Sequence, residues 1–314
     1  MKLVTYAIST PLGTVDRLGA LEGEEVIDLT SAYEAKLSAE GEPDPETLAA
    51  VLVPPSLLAL LRREERGMSA AREALQVSHE NETVRFPLDK VKLRAPLPRP
   101  NSVRDFMVVE EHVRGTFGGE IAEEWYEIPV HYKGNPDSIV GPDEDVEWPS
   151  YTEKLDYELE LCAIVGKRGR EIREEDATSY IAGYTIFNDW SARDIQFREM
   201  NVKLGPALGK DFANSIGPCL VTPDEIDIYT APMQARVNGE VWSSGAQGAM
   251  RFNFPQIIAH LSSDQTLMPG DLLGSGTIGG GSGLELDRWI QPGDVVELEA
   301  EGIGVLRNRV VRSQ

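Results

Sequence analysis

The feature that most constrains this chain is the run KLDYELELCAIVG, residues 154–166, which places carboxylates at alternate positions of a segment with β-strand character. Successive side chains of a strand point to opposite faces, so Asp156, Glu158 and Glu160 share one face while the intervening apolar residues take the other. Neighbouring carboxylates repel each other, and a half-buried pair must either hold a proton or gain a cation. The run therefore predicts a strand whose acidic face needs a positive partner.

Length and composition predict a globular protein with a substantial core. A chain of 314 residues can form one large domain, or a main domain with a smaller one. No apolar run approaches the about 20 residues of a membrane helix, and MKLVTYAIST lacks the long apolar stretch of a signal peptide. The two cysteines, Cys162 and Cys219, are too few for a disulfide framework. We therefore expect a cytoplasmic protein without a membrane partner.

The net charge of −22 limits the partners of this chain. Nucleic-acid phosphates would be repelled at long range, so we expect no nucleic-acid partner. An anionic substrate would need a locally positive site within this acidic protein. High solubility explains most of the acidic residues.

The sequence pattern divides the chain in two. Residues 1 to about 75 mix short strands (KLVTYAI, RLGALEG, EEVIDLT) with helical segments (PETLAAVL, PPSLLALLRREERGMSAAREAL). The tract RAPLPRPNSVRDF has three prolines in seven residues and fits neither periodicity. The chain after it is rich in strands and glycine. We predict a small N-terminal domain over residues 1–95 and a mainly β catalytic domain over residues 96–314.

The segment GYTIFNDWSARDIQ predicts a strand from Tyr184 to Asp189, followed by a helical turn. Ser191 is placed to cap that turn, and Asp194 three residues later makes a variant of the capping box. Asp189 then ends a strand, from which an acid can reach into a cleft. An Asx turn is the alternative interpretation of Asp189.

Two further segments suggest contact with a ligand. Lys210 follows the bend LGPALGK, where its ammonium could approach an anion, although an exposed surface lysine is the alternative. The tract GDLLGSGTIGGGSGLEL would let the backbone approach a ligand closely, and a flexible hairpin loop explains it equally well.

His112 has the most reactive setting of the four histidines. In VRDFMVVEEHVRGTFGG, Asp105 lies seven residues before it, and Glu110 and Glu111 adjoin it. A nearby carboxylate raises the basicity of a histidine and fixes its orientation, as a general base acting on water requires. A surface histidine is the alternative. The other histidines lack comparable neighbours: His79, His131 and His260.

Seven short segments in this order carry a resemblance to a known family: RDF…EEH, IPVHYKG, DYELELCAIVG, NDWSARDIQ, LGPALGK, GSGTIGG and GIGVLRNRVV. From about residue 100 to its end, the chain resembles the fumarylacetoacetate hydrolase family. The resemblance implies an α+β, mainly β fold, with a mixed β-sandwich roll preceded by a small N-terminal α/β domain. It also implies a homodimer, and pairing would protect the edges of the sheets.

The resemblance implies a metal site. Glu158 and Glu160 of ELE and Asp189 of NDW match the family's carboxylate ligands for Mg²⁺, Mn²⁺ or Ca²⁺, and Asp105 of RDF resembles a further ligand in fumarylacetoacetases. A hard dication joined through oxygen would explain the acidic strand face. Asp156 has no counterpart ligand, and we expect it to be a solvated charge at the strand end.

The resemblance also implies catalytic and substrate-binding residues. His112 matches the family's water-activating histidine, with Glu285 after the glycine-rich loop as its partner, or Glu110 or Glu111 as in other members. Gln196 and Lys210 resemble the groups that stabilise oxyanion charge. The residues expected to contact substrate are Tyr132, Thr277 and Arg193.

The resemblance implies a metal-dependent hydrolase that cleaves a C–C bond in a β-diketo or acylpyruvate-type keto acid. An isomerase, decarboxylase or hydratase of unsaturated dicarboxylic acids on the same scaffold is the alternative, and a non-catalytic cation-binding module is a third class. Met107 and Met200 stand where fumarylacetoacetases have tyrosines, and no arginine before WYEIP matches their substrate-binding arginine. The expected substrate is therefore not fumarylacetoacetate.

Overall fold

The fold is given by a computed structural model, which describes residues 1–11, 13–78, 81–118 and 120–312; His79 lies outside these ranges. The elements before residue 100 are strands Lys2–Thr10 (β1), Gly13–Glu22 (β2), Glu25–Asp28 (β3), Arg85–Pro87 (β4) and Lys92–Leu93 (β5), and helices Leu29–Ala39 (α1), Pro45–Leu52 (α2), Leu57–Leu61 (α3) and Glu64–Val77 (α4). Helix α1 begins where Asp28 accepts a hydrogen bond from the Ser31 amide, and α2 begins with Pro45.

The second part of the chain adds most of the strands. They are Ser102–Phe106 (β6), His131–Gly134 (β7), Ile139–Val140 (β8), Asp145–Trp148 (β9), Leu155–Asp156 (β10), Leu159–Val165 (β11), Ile181–Asn188 (β12), Ser191–Ala192 (β13), Asn214–Val221 (β14), Pro232–Val237 (β15), Glu240–Ala246 (β16), Asp271–Gly274 (β17), Val295–Ala300 (β18) and Gly304–Arg312 (β19). The helices are Glu110–Phe117 (α5), Glu174–Ala177 (α6), Arg193–Met200 (α7), Phe254–Ser262 (α8) and Gly283–Leu286 (α9).

Most strands form one large sheet in the order β4-β3-β2-β1-β14-β12-β11-β17-β6-β7, in which β5 also pairs with β1 and β8 with β14. Neighbours along this order are antiparallel except β6 and β17, which run parallel. A second sheet has the order β16-β15-β18-β19-β9, and β10 pairs with β13. Residues of the second sheet share a core cluster with one face of the central strands, and residues of the N-terminal helices share a cluster with the other face.

The central strand β11 has two buried faces. Leu159 and Leu161 belong to a core cluster that includes Leu298 of the second sheet, whereas Cys162 belongs to a cluster with Leu60 of α3. The apolar and acidic positions therefore alternate as the sequence predicts, although the segment is divided between β10 and β11. The acidic residues of the segment are buried as well, so their negative charges are unfavourable unless positive groups or protons compensate them.

The predicted α+β, mainly β fold is confirmed. The sequence analysis missed α1, since the segment LTSAYEAKLSA was not assigned to a helix. The boundary after residue 95 stays a prediction, and in the structure β1 continues the large sheet by pairing with β14. In the part of the chain that the structure describes, no helix is long and apolar enough to cross a membrane.

Candidate active site

Three buried carboxylates meet at one edge of the large sheet, from strands β12, β11 and β6. Asp105 lies near the end of β6, Glu160 near the start of β11, and Asp189 directly after β12. One carboxylate oxygen of each lies within 4.8 Å of the others. Like charges buried this close together are unfavourable without a proton or a cation between them. The three residues are called the carboxylate triad below.

The chemistry of the triad fits a hard divalent cation. The buried Oδ1 of Asp105 has no hydrogen-bond partner. Burial, followed by the charges of nearby carboxylates, raises the pKa of Asp105 and of Glu160 well above their ordinary values. Burial also raises the pKa of Asp189 to about 6, although Lys210 opposes this shift. Since Mg²⁺, Mn²⁺ and Ca²⁺ prefer oxygen ligands, the triad offers the donors that such an ion needs.

Glu158, the fourth predicted ligand, is held outside the triad. Its Oε1 accepts a hydrogen bond from Nη2 of Arg193 at 2.9 Å, and its Oε2 accepts one from Nζ of Lys210 at 2.5 Å. Burial opposes ionisation of this carboxyl, but the charges of Arg193 and Lys210 outweigh burial and hold its pKa below the ordinary range. A ligand role for Glu158 stays a prediction.

His112 is buried on α5 and paired with Glu285. Its Nδ1 lies 2.8 Å from Oε2 of Glu285, and its Nε2 lies 3.6 Å from Oε1 of Glu158. Because an ionised carboxylate can only accept, Nδ1 carries the hydrogen and Nε2 of the neutral ring is left as a base. The Gly280 amide and the Ser282 hydroxyl donate to Glu285 at 3.0 and 2.8 Å and fix its position.

The alternative partners of His112 point elsewhere. Glu110 accepts hydrogen bonds from Arg114 and from the Tyr126 hydroxyl at the surface. Glu111 is exposed, and its carboxylate lies against Gly279 of the glycine-rich loop. Of the glutamates that the sequence left open, the structure brings Glu285 to the histidine.

Three other predicted residues lie in the same region, and their polar groups already have protein partners: Tyr132, Thr277 and Lys210. The Tyr132 hydroxyl donates to Oδ1 of Asp189 at 2.7 Å, and the Thr277 hydroxyl donates to Oε1 of Glu160 at 3.1 Å. Lys210 is 3% exposed, so the surface-lysine interpretation is wrong. The substrate contacts assigned to these residues stay predictions.

Arg193 connects several side chains of the site. Its Nε donates to Asp156 at 2.8 Å, its Nη2 to Glu158 at 2.9 Å, and its Nη1 to Gln196 at 3.1 Å. The guanidinium is fully buried among these partners, although it also lines the cavity. The geometry therefore supports an orienting role for Arg193, and a direct contact with substrate stays a prediction.

The expectation that Asp156 is a solvated strand-end charge is wrong. Asp156 is 0% exposed, and besides Arg193 it accepts hydrogen bonds from the amides of Gly283 and Leu284 at 2.8 and 3.1 Å. It thus joins α7 to the start of α9, which carries Glu285. The sequence held one signal of this burial, since Asp156 shares the alternation of the two buried glutamates that follow it.

Ser191 does not cap α7, which corrects another expectation. The helix begins at Arg193, its N-cap position is Ala192, and no side chain accepts a hydrogen bond there. The Ser191 hydroxyl donates instead to the carbonyl of Asp189 at 3.0 Å. Asp189 itself follows β12 and places its carboxylate in the triad, as the cleft interpretation predicts.

One glycine of the glycine-rich tract is required by the triad. A Cβ atom at Gly274 would lie 2.2 Å from Oδ1 of Asp105, so only glycine allows β17 to run beside this carboxylate. The tract therefore approaches a protein carboxylate closely and is not a free hairpin.

The site opens into a cavity of about 170 Å³. Its polar lining includes His112, Gln196, Lys210 and two members of the triad, Asp105 and Glu160. The apolar lining consists of Phe106, Met107, Phe117, Val130, Met200 and Pro206. His131, which the sequence did not single out, also contributes to the wall. A small molecule in this cavity would meet a histidine paired with a carboxylate, hydrogen-bond donors and candidate metal ligands together.

On a mainly β fold, the site thus combines a carboxylate triad that could hold a metal ion with a buried histidine–glutamate pair beside one cavity. Residues 102–311 match the family described as Fumarylacetoacetate (FAA) hydrolase C-terminal, and the chain belongs to this family. The resemblance found in the sequence is thereby confirmed.

Three similar proteins illustrate the family. The oxaloacetate tautomerase YisK of Bacillus subtilis (strain 168) is 30% identical over 303 residues, which cover 92% of this chain and 94% of that protein. The mitochondrial oxaloacetate tautomerase Fahd2a of Rattus norvegicus is 34% identical, over 82% of this chain and 80% of that one. The solved fumarylacetoacetate hydrolase of Exiguobacterium antarcticum is 27% identical, with a TM-score of 0.75 over 99% of this chain and 100% of that chain.

Proposed function

We propose that this protein is a metal-dependent enzyme that interconverts the keto and enol forms of a 2-oxo acid, with oxaloacetate as the first substrate to test. The observation that carries the proposal is the buried His112–Glu285 pair, because His112 lines the same cavity as members of the carboxylate triad. The oxaloacetate tautomerase activity named for the Bacillus and rat relatives supports the choice of substrate.

Enolisation needs a base for the proton on carbon 3 and a donor for the oxygen on carbon 2. In this site Nε2 of His112 takes the proton, since Glu285 keeps the hydrogen of the neutral ring on Nδ1. The Glu285 carboxylate stabilises the imidazolium that results. Delivery of the same proton to the oxygen gives the enol, and the reverse sequence restores the ketone, so no other reactant is consumed.

Two parts of the site would stabilise the negative charge that develops on the oxygen. A divalent cation held by Asp105, Glu160 and Asp189 would supply Lewis acidity at the carbonyl. Gln196 supplies a hydrogen-bond donor: its Oε1 accepts from Arg193, which leaves the side-chain NH₂ group for the substrate oxygen. The apolar wall of the cavity limits the access of bulk water to this charge.

Hydrolysis of a C–C bond in a β-diketo or acylpyruvate-type acid is the second candidate. The His112–Glu285 pair is equally suited to take a proton from water. The water oxygen would then bond to the carbonyl carbon, and the C–C bonding pair would leave as an enolate that is protonated. The similarity to a solved fumarylacetoacetate hydrolase favours this reaction. Isomerisation and decarboxylation begin from the same enolate chemistry.

The test dilutes enol oxaloacetate into buffer with Mg²⁺ and follows the loss of enol absorbance beside an enzyme-free control. We expect the enzyme to accelerate ketonisation, EDTA to suppress the effect, and His112→Gln to lower the rate by about 10²-fold. A parallel assay measures pyruvate release from an acylpyruvate. Rapid cleavage without accelerated ketonisation would replace the first candidate by the second, and the absence of both reactions would overturn the proposal.

A further inference from the structure

Lys210 has an unusual position for a lysine. Its side chain is 3% exposed, and its Nζ donates hydrogen bonds to Oε2 of Glu158 and Oδ2 of Asp189. A buried ammonium is costly unless it is paired and hydrogen-bonded, and here two carboxylates supply both. One of them, Asp189, is also a member of the carboxylate triad. The same carboxylate is therefore a partner of the lysine and a candidate ligand of the metal.

Lys210 supplies the positive charge that lies against the carboxylate triad. Among the described residues that line the cavity, the lysine and arginine side chains are Lys210 and Arg193. The guanidinium of Arg193 forms ion pairs with Asp156 and Glu158. The ammonium that offsets the charge of Asp189 is therefore that of Lys210.

A divalent cation at the triad would change this balance. The cation and the ammonium would both seek the oxygens of Asp189, and like charges close together in a buried site repel strongly. Coordination would also draw electron density from Asp189 and weaken it as a hydrogen-bond acceptor. Lys210 would then keep Glu158 as a partner, and its donor to Asp189 would become free.

We propose that Lys210 is the internal counter-ion of the metal-free site and that it competes with the divalent cation for Asp189. Metal binding releases Nζ from Asp189 into the cavity, where it donates to an anionic oxygen of the ligand. In the metal-free site the Nζ of Lys210 is therefore engaged by Glu158 and Asp189, and in the metal-loaded site one of its N–H donors is free for the substrate. The inference rests on the metal site of the proposed function and is independent of which reaction follows.

The first experiment titrates Mn²⁺ into the purified chain by calorimetry, for the unsubstituted protein and for Lys210→Met. Methionine keeps the length of the side chain and removes its charge. If the lysine competes with the cation, the variant should bind Mn²⁺ about tenfold more tightly or better, the order expected when a close like charge is removed. Weaker binding by the variant would mean that Lys210 holds the ligands in place, and this result would overturn the proposal.

The thermal stability of the same proteins gives a second reading. Without metal, Lys210→Met should melt at a lower temperature, because Glu158 and Asp189 lose their counter-ion. With saturating Mn²⁺ its melting temperature should rise by more than that of the unsubstituted protein. An equal or smaller rise in the variant contradicts the proposal. Lys154→Met is the matched control, because Lys154 is exposed. This substitution should leave the Mn²⁺ affinity and the melting temperature unchanged.

A third measurement keeps the test decisive if Lys210→Met does not fold. The unsubstituted protein is acetylated with acetic anhydride with and without Mn²⁺, and the labelled lysines are measured by peptide mass spectrometry. Release of Nζ should raise the labelling of Lys210 severalfold when metal is added, while the labelling of Lys154 stays constant. Equal or lower labelling of Lys210 with metal would overturn the proposal. Metal affinity, melting temperature and acetylation are all measured without substrate turnover. They therefore test the role of Lys210 even if the proposed reaction is not observed.

Discussion

His112 and Glu285 are 173 residues apart in the chain, yet Nδ1 of the histidine lies 2.8 Å from Oε2 of the glutamate. Helix α5 supplies the histidine, and the short helix α9 after the glycine-rich loop supplies the glutamate. A Cβ atom at Gly115 of α5 would lie 3.0 Å from Glu285, so glycine keeps the surface of α5 open for this contact. The pair exists only because the loop folds back onto α5.

The first prediction concerns this pair. Glu285→Gln should lower kcat by about 10²-fold or more, because the imidazolium of His112 loses its stabilising carboxylate and its fixed orientation. Metal binding should persist, since the carboxylate triad is unchanged. The matched control is Glu111→Gln, which changes an exposed glutamate one residue from the histidine. Steady-state kinetics in which Glu111→Gln is as impaired as Glu285→Gln would contradict the assignment.

A second prediction concerns the carboxylate triad. Burial and the charge of Asp189 raise the pKa of Asp105, so folding takes up a proton and metal-free stability falls as pH rises above about 4. An asparagine side chain at this position would need no proton. Asp105→Asn should therefore melt higher than the unsubstituted protein near neutral pH without metal, and gain less from added Mg²⁺. Differential scanning fluorimetry checks both signs; a larger gain from metal would refute the ligand role.

A third prediction concerns the buried ion pair between Asp156 and Arg193. Asp156→Ala leaves the guanidinium with one fewer carboxylate and leaves the amides of Gly283 and Leu284 without their acceptor. Breaking such a pair costs about 3–5 kcal/mol of unfolding free energy. Urea unfolding measures this loss. Asp145→Ala, an exposed position on β9, should unfold like the unsubstituted protein.

The fourth prediction is a pH dependence that originates at His131. Burial, followed by the charges of Arg104, Lys133 and His260, lowers the pKa of His131 to about 4 from an ordinary value of 6.5. The unfolded chain therefore takes up this proton at a higher pH than the folded chain, and stability falls as pH drops through that window. His131→Gln should lose less stability between about pH 7 and pH 5 in urea unfolding. Identical losses would contradict the assignment.

The fifth prediction is the homodimer. Val202, Leu204 and Leu208 are 76, 82 and 58% exposed in one short segment, a larger apolar exposure than a monomeric surface needs. Light scattering should give about twice the chain mass of 34.6 kDa. Leu204→Asp should shift the mass toward the monomer, whereas Val15→Asp at another exposed site should not. A monomeric mass for the unsubstituted protein at micromolar concentration would end this idea.

The parts of the site that follow from local pattern could be predicted. The alternation around Glu158 and Glu160 identified an acidic strand face, and the predicted strand end marked Asp189, whereas Asp105 was assigned as a ligand through the family resemblance. Each of these signals lies within one strand, where the period of two fixes which side chains share a face. Their meeting at one point depends on the pairing of strands, and the family resemblance supplied that information.

The parts that depend on distant contacts could not be predicted from the residues alone. The choice of Glu285 over Glu110 or Glu111 requires the path of the glycine-rich loop, which no periodicity encodes. Asp156 was misjudged because its partners are an arginine on α7 and two amides on α9. Ser191 was assigned to a cap because serine before a helix has that preference, and the backbone of Asp189 offered it another partner.

The pairing of β1 with β14 has a consequence for how this chain could be shortened. On its other side β14 pairs with β12, and its residues Ile216 and Leu220 share a core cluster with Leu3 and Leu18 of the N-terminal strands. A chain that began at residue 96 would present the backbone groups of Leu220 and Val221 in β14 as an open edge beside bare apolar side chains, although β8 would still pair with the start of the strand. Such edges recruit other chains. The N-terminal strands thus cover part of an edge of the large sheet that would otherwise favour association with other chains.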